Sequence, residues 1–340
     1  DAFFHARSID QISTYLQNGT GSTCGTSAEE INKTAVVDAV LDHTIPARTP
    51  FKLSGSAVDV DSDNLSYSWQ QFDLGTESSS LAEQVDDGSR PLFRASLPSS
   101  ETNRYFPKMS DVLNNTSSIG ESLPTTNREL NFRLMVFDHD GGVSFDGVKL
   151  NVVDTEQAFS LTTPILDDIW TESSNNISWQ VADTNIAPIN CSTLNVLLSK
   201  DGGENFDITL ASGISNNGES DISIDSFCAD EINTLQARIK LVCSNNIFFA
   251  INDGAFSIDK RLNSSDIAII SQQTLSLVQG DSIALTSTQF SYACEIPDSL
   301  TIQSGDNYSF LGETITPNSD FIGTLLVEVI ANKDDVTSEV

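Results

Sequence analysis

Asp59-Val60-Asp61-Ser62-Asp63 places three carboxylates at alternate positions, and Asp138-His139-Asp140 repeats the spacing further along the chain. Loop carboxylates so spaced can converge on one hard cation, and clustered oxygen donors suit Ca2+ rather than Zn2+. The first segment is not an EF-hand, because Asn64 and Gln70 stand where that loop requires Gly and Glu. Asp59, Asp61, Asp63, Asp138 and Asp140 are therefore the candidate calcium ligands, and solvated Asp and Asn turns are the competing reading.

Other chemistries find less support. A zinc peptidase of the HExxH type needs two His one helical turn apart and a Glu to activate water. His5, His43 and His139 are the only His residues and none is followed by Glu. G-x-S-x-G is absent, and adjacent acids such as Asp167 and Asp168 say nothing of the spatial separation a glycosidase requires. No catalytic residue is assigned. Ser199-Lys200-Asp201-Gly202-Gly203-Glu204-Asn205-Phe206 matches the Asp-box, a hairpin turn in which Asp caps backbone N–H groups, so it is read as structural. The five cysteines contain no CxxC pair, which favours disulfides over a zinc or redox motif and leaves one thiol over.

The elements that must position these residues are mostly strands. Residues 2–17 place Phe4, Ile9, Ile12 and Leu16 near helical spacing, and this is the one helix the sequence predicts. The tract to Thr34 is polar and reads as a linker over 25–34. From Ala35 onward, runs such as FKLSGSAV, LSYSWQQF, LNFRLMVF and VKLNVV alternate apolar and polar residues between turn residues, the pattern of antiparallel sandwich strands. A second such block spans 157–259 and a third 260–340, the latter with LSLVQGDSIALT, SLTIQSGDNYSF and TLLVEVIA. The fold class is all-β, with tandem β-sandwiches and a short N-terminal helix. If STLNVLLS and QARIKLV are antiparallel neighbours, as the third and sixth strands are in Ig-like folds, the start of one meets the end of the other. That predicts a Cys191–Cys243 disulfide, against Cys191–Cys228 and Cys228–Cys243. Trp69 and Trp179 lie in strand patterns that bury them, so only Trp170 is left as an exposed aromatic for a carbohydrate-binding reading.

A net charge of −31 repels phosphate backbones and anionic headgroups, so nucleic acid and membrane surfaces are poor partners. No apolar run reaches the roughly 18 residues of a membrane span. The chain begins at Asp1 without Met and closes on a strand-like run, so it reads as a piece of a longer precursor.

Four passages carry a resemblance: FFHARSIDQISTYLQNGTGSTCGT; TIPARTPFKLSGSAVDVDSDNLSYSWQQFDLG through PLFR to FPKMSDVLNNTSSIGESLP; ISWQVADTNIAPINCSTLNVLLSKDGGENF; and ARIKLVCSNNIFFAINDGAFSI. Together they resemble the C-terminal half of secreted, reprolysin-like zinc metallopeptidases of marine and environmental bacteria, over roughly residues 1–259. The resemblance implies that 1–24 closes an upstream catalytic domain in which Cys24 finds its partner. It further implies that 35–156 is a PKD-like sandwich with a long insertion at 73–127, and that 157–259 is an Ig-like sandwich. Residues 301–330 resemble a cadherin-like repeat, so 260–340 is expected as a truncated cadherin-like sandwich. HExxHxxGxxH is absent here, so peptidase activity and zinc belong to the parent only. The expected role is a secreted, non-catalytic spacer or docking module whose partners are the upstream metallopeptidase domain and extracellular protein or polysaccharide. The rival is a structural or adhesive surface protein that self-assembles into a stalk or filament. The Arg90–Gly142 tract is the expected contact surface with the catalytic domain.

Overall fold

The computed structural model describes residues 3–24, 32–39, 41–61, 64–77 and 80–338. Most of the expected linker, and Asp63 among the candidate ligands, lie outside the described residues. The amphipathic N-terminal run forms α1, Ala6–Asn18. Its near end is held by the Ala6 N–H donating to Gln70 Oε1 at 2.8 Å and by Arg133 reaching Asp10 at 3.5 Å. Only Ala6 of this helix is buried, while Ile12, Tyr15 and Leu16 face solvent.

The first block comprises β1 (Val36–Ala39), β2 (His43–Pro46), β3 (Phe51–Val58), β4 (Ser66–Gln71), β5 (Asn103–Phe106), α2 (Met109–Asn114), β6 (Arg128–Phe137) and β7 (Val143–Val153). They form two sheets, β1-β3-β5 and β2-β7-β6-β4. Period-2 alternation turns one face of each sheet inward. The buried faces meet in an aromatic cluster, with Phe51 stacked on Phe106 at 5.0 Å and Phe106 edge-on to Phe132 at 4.8 Å. Trp69 is buried beside them and donates its indole N–H to the Thr102 carbonyl at 3.1 Å, which satisfies the one polar group it brings inside.

The tract read as an insertion is part of this core. It supplies β5, paired residue for residue with the start of β3, and buried Phe93 and Phe106. An ion pair with both side chains almost wholly buried pins it down, with Arg128 Nη1 2.6 Å from Asp86 Oδ1. Asp86 Oδ2 also accepts from the Thr125 and Thr126 amides and the Thr126 hydroxyl. Burial opposes the Asp86 charge, but these donors together hold its carboxyl below the usual range.

The second block carries β8 (Ser160–Thr163), β9 (Ile169–Trp170), β10 (Ser174–Gln180), β11 (Thr193–Ser199), β12 (Ile208–Ser215), β13 (Glu219–Ser223), α3 (Ala229–Ile232), β14 (Thr234–Cys243), β15 (Phe249–Ile251) and β16 (Phe256–Ile258). β11 lies between β12 and β14, antiparallel to both, and Leu194 faces Cys243. β9 pairs in parallel with β16. That pairing corrects the reading of Trp170 as exposed: the short strand turns Ile169 outward and leaves Trp170 at 5% exposure.

The third block contains β17 (Ile269–Gln272), β18 (Ile283–Ala284), β19 (Phe290–Tyr292), β20 (Ser299–Ile302), β21 (Tyr308–Leu311), β22 (Thr314–Pro317), β23 (Val329–Lys333) and β24 (Val336–Thr337). Its sheets are small, β17-β19, β18-β22-β21 and β20-β23-β24, around a core that includes Ile267, Leu300, Ile302, Ile315 and Ala331. The strands expected over LSLVQGDSIALT and TLLVEVIA are shorter than the sequence pattern. Leu325 and Val327 still pack on the core although they lie outside any ladder, because alternation specifies burial and not pairing.

The chain divides into two compact units. Residues 1–168, 176–221 and 236–256 form one, and residues 169–175, 222–235 and 257–340 form the other. The described residues are nearly all-β, with a short N-terminal helix and a few further short helical turns.

Candidate functional site

The acidic loops follow β3 and β6 in the first sandwich. In the turn after β6, His139 (φ 67°) and Gly141 (φ 105°) adopt left-handed backbone, which folds the segment back over Asp138. Asp138 Oδ1 accepts from the Asp140 amide at 3.0 Å and the Gly142 amide at 2.8 Å, and Oδ2 accepts from Asn32 Nδ2 at 2.9 Å. Burial opposes its charge, yet the donors from Asn32, Gly142 and Asp140 prevail and hold the carboxyl below the usual range. In the loop after β3, Asp59 Oδ1 accepts from the Asp61 amide at 2.7 Å, and Asp61 Oδ2 accepts from the Lys33 amide at 2.6 Å. The two loops thus grip the same dipeptide, Asn32-Lys33. Asp138 holds Asn32 and Asp61 holds Lys33, Asp59 caps the Asp61 amide, and Asp140 is exposed and contributes its amide.

Two oxygens of this cluster, Asn32 Oδ1 and Asp59 Oδ2, are fully buried without a hydrogen-bond partner. Buried acceptors left without a donor are what a hard cation satisfies, and an amide oxygen with carboxylates is a Ca2+ donor set. Among the described residues, no group of three or more His, Cys, Asp or Glu is arranged to hold a metal. Asn32 Oδ1, an amide oxygen, is a donor type that a search for acids passes over. No sequence signal marked it, because its partner Asp138 stands 106 positions away.

The Asp-box residues form a tight turn that the Gly202 amide ties to the Gln236 carbonyl at 2.9 Å. Ser199 Oγ donates to Asp201 Oδ1 at 2.6 Å, and the Asn205 amide donates to the same oxygen at 3.0 Å. The Asn205 amide and then the Ser199 hydroxyl draw the Asp201 carboxyl down to about 2. This turn delivers Phe206 to the joint with the first sandwich, where its ring centroid is 5.2 Å from Lys240 Nζ.

That joint lies inside the first unit, and across it Tyr105 meets Phe249 edge-on at 5.5 Å. The Lys52 amide donates to the Ile247 carbonyl at 3.0 Å, and the Phe249 amide to the Pro50 carbonyl at 2.9 Å. Asn246 Nδ2 donates to the Thr44 carbonyl at 2.9 Å, and Arg238 Nη2 to the Leu113 carbonyl at 3.0 Å. Gly203 (φ 106°) lies against Leu113, where an added Cβ would come within 2.3 Å of Leu113 Cδ2. Lys240 spans the joint with Tyr105, a pairing that the sequence did not signal because the partners stand 135 residues apart.

Cys191 and Cys243 are joined, with Cα atoms 6.0 Å apart. Cys228 is joined to Cys294, which excludes the alternative pairings of Cys228 with Cys191 or Cys243. Cys24 is exposed and free. No helix among the described residues is long and apolar enough to cross a membrane.

No family model matches the chain, and no curated protein sequence matches it. Among solved structures, the N-terminal Ig1-2 module of the Drosophila receptor protein tyrosine phosphatase DLAR is 10% identical over 68% of this chain and 100% of its own, with a TM-score of 0.34. Drosophila N-cadherin EC1-4 is 10% identical over 68% of this chain and 50% of its own, with a TM-score of 0.22. The human desmocollin-1 ectodomain is 9% identical over 89% of this chain and 57% of its own, with a TM-score of 0.21. At that level of similarity the sandwich architecture rests on the strand pairing and burial of this chain itself.

Proposed function

We propose that this chain is a non-catalytic region of a secreted zinc metallopeptidase that spaces the enzyme from, and docks it on, insoluble extracellular protein or polysaccharide. The observation that carries the reading is the joint between the first two sandwiches. A flexible linker would let the modules swivel, whereas shared backbone hydrogen bonds and the Tyr105–Phe249 ring contact set one separation and one orientation between their outer surfaces. Two disulfides suit an oxidising compartment outside the cytosol. An acidic surface of net charge −31 keeps such a module soluble and away from anionic membranes. Catalytic zinc would be held upstream, since none of the three His residues stands in HExxH.

Calcium fits the same role. Asn32 Oδ1 and Asp59 Oδ2, with Asp61 and Asp138 close by, would hold Ca2+ where the segment before β1 meets the first sandwich, and the ion would stiffen that entry. Adding Ca2+ after EDTA treatment is expected to raise the melting temperature of the first unit, and Asp59→Asn is expected to abolish the rise. An unchanged melting temperature would remove calcium from the account. The parentage is tested by mass spectrometry and sequencing of the native precursor, which should carry HExxHxxGxxH ahead of the α1 helix. A precursor without that motif would sink the peptidase assignment.

A further inference from the structure

We propose that Lys240 is a proton-operated latch on the joint between the first two sandwiches, which tightens when the ammonium gives up its proton. Lys240 is 5% exposed on β14, and its Nζ lies 3.3 Å from the Tyr105 hydroxyl of β5. Three rings surround it, with centroids at 4.3 Å for Phe249, 4.6 Å for Tyr105 and 5.2 Å for Phe206. Ring faces attract a cation, but a buried ammonium has three N–H groups to satisfy and has lost its water. Tyr105 supplies one acceptor. Among the described residues no carboxylate forms a salt bridge with Lys240.

The charged groups around it favour the neutral amine. From β3, Lys52 reaches over the same Tyr105 ring at 5.4 Å and repels the ammonium. On β14, Arg238 is spent on the Asn252 and Leu113 carbonyls. On β5, the neighbouring Arg104 is paired with Glu121. In the loop that carries Phe206, the Asp201 carboxylate is taken by Ser199 and Asn205. Burial first, and Lys52 second, push the Lys240 ammonium down to about 8 from the ordinary 10.5. Burial raises the Tyr105 phenol instead, so the hydroxyl keeps its proton after the amine has lost one to solvent. The contact then reverses: the tyrosine O–H donates to the amine lone pair, and both groups are neutral.

The sign follows from linkage. Between about pH 8 and the ordinary lysine range, an opened chain binds a proton that the closed joint has released, so closure strengthens as pH rises. Hydrogen exchange at the Lys52 and Phe249 amides, whose N–H groups cross the joint, reads this directly in the whole chain. Their protection, corrected for intrinsic exchange, should rise about tenfold between pH 7 and pH 9, and Lys240→Met should flatten the rise. An equal rise in the Met variant would overturn the proposal. Should that variant fail to fold, an NMR titration of the Lys240 side chain decides alone: a midpoint near 8 supports the latch, and a midpoint at 10 or above refutes it.

Discussion

Asp138 shows how one residue can be legible as a pattern while its hydrogen-bond partners are not. Its spacing with Asp140 marked a cation loop, yet two of its acceptor positions go to amides of its own turn and a third to Asn32. Gly142 is packed against it, since an added Cβ would fall 1.9 Å from Asp138 Oδ2. Gly142→Ala must therefore displace the carboxylate, and a loss of about 1–3 kcal/mol in urea unfolding is expected. A neutral substitution would mean that the turn is not held by Asp138. Asp201 makes a prediction about acid. Its carboxyl is drawn down to about 2, so its contribution is complete above the ordinary aspartate range and is lost as pH falls towards 2. Asp201→Asn should flatten the stability decline across that window, by a modest amount because the side chain is exposed. An unchanged acid limb would leave the turn without the role given to it. Lys240 and Asn32 were not legible at all, because their meaning depends on partners far away in sequence.

At the scale of elements, strands such as FKLSGSAV and LNFRLMVF were readable because their alternation is strong enough to fix a buried face. β5 was not, since NRYF is short and lies within a polar stretch whose register is set from outside, by β3 and by the Asp86–Arg128 pair. The same pair explains why the tract is ordered. Arg128→Met would leave Asp86 buried without its cation, and a loss of about 3–5 kcal/mol is expected, with β5 the first strand to lose exchange protection. Full protection of β5 in that variant would contradict the anchoring role. Trp170 was misread because its two-residue strand is too short to show alternation, and its burial comes from a parallel pairing with β16. The Cys228–Cys294 bond lay beyond sequence because its ends stand 66 positions apart and no strand pairing read from the sequence joins them.

For the whole molecule, the sequence conveyed tandem β-blocks, an acidic surface and the absence of HExxH from this chain. It did not convey that the first block and most of the second share backbone hydrogen bonds within one compact unit, because such a joint is built from single contacts at Pro50, Lys52, Leu113 and Ile247. A joint of that kind gives a docking module a fixed reach, and docking is the part of the account that is most exposed to refutation. Co-sedimentation of the purified chain with insoluble protein and insoluble polysaccharide, in Ca2+ and without it, tests it most directly. The account predicts that the chain moves into the pellet with at least one of these solids, and more strongly with Ca2+. A chain that stays wholly in the supernatant with every solid, in both conditions, would contradict docking.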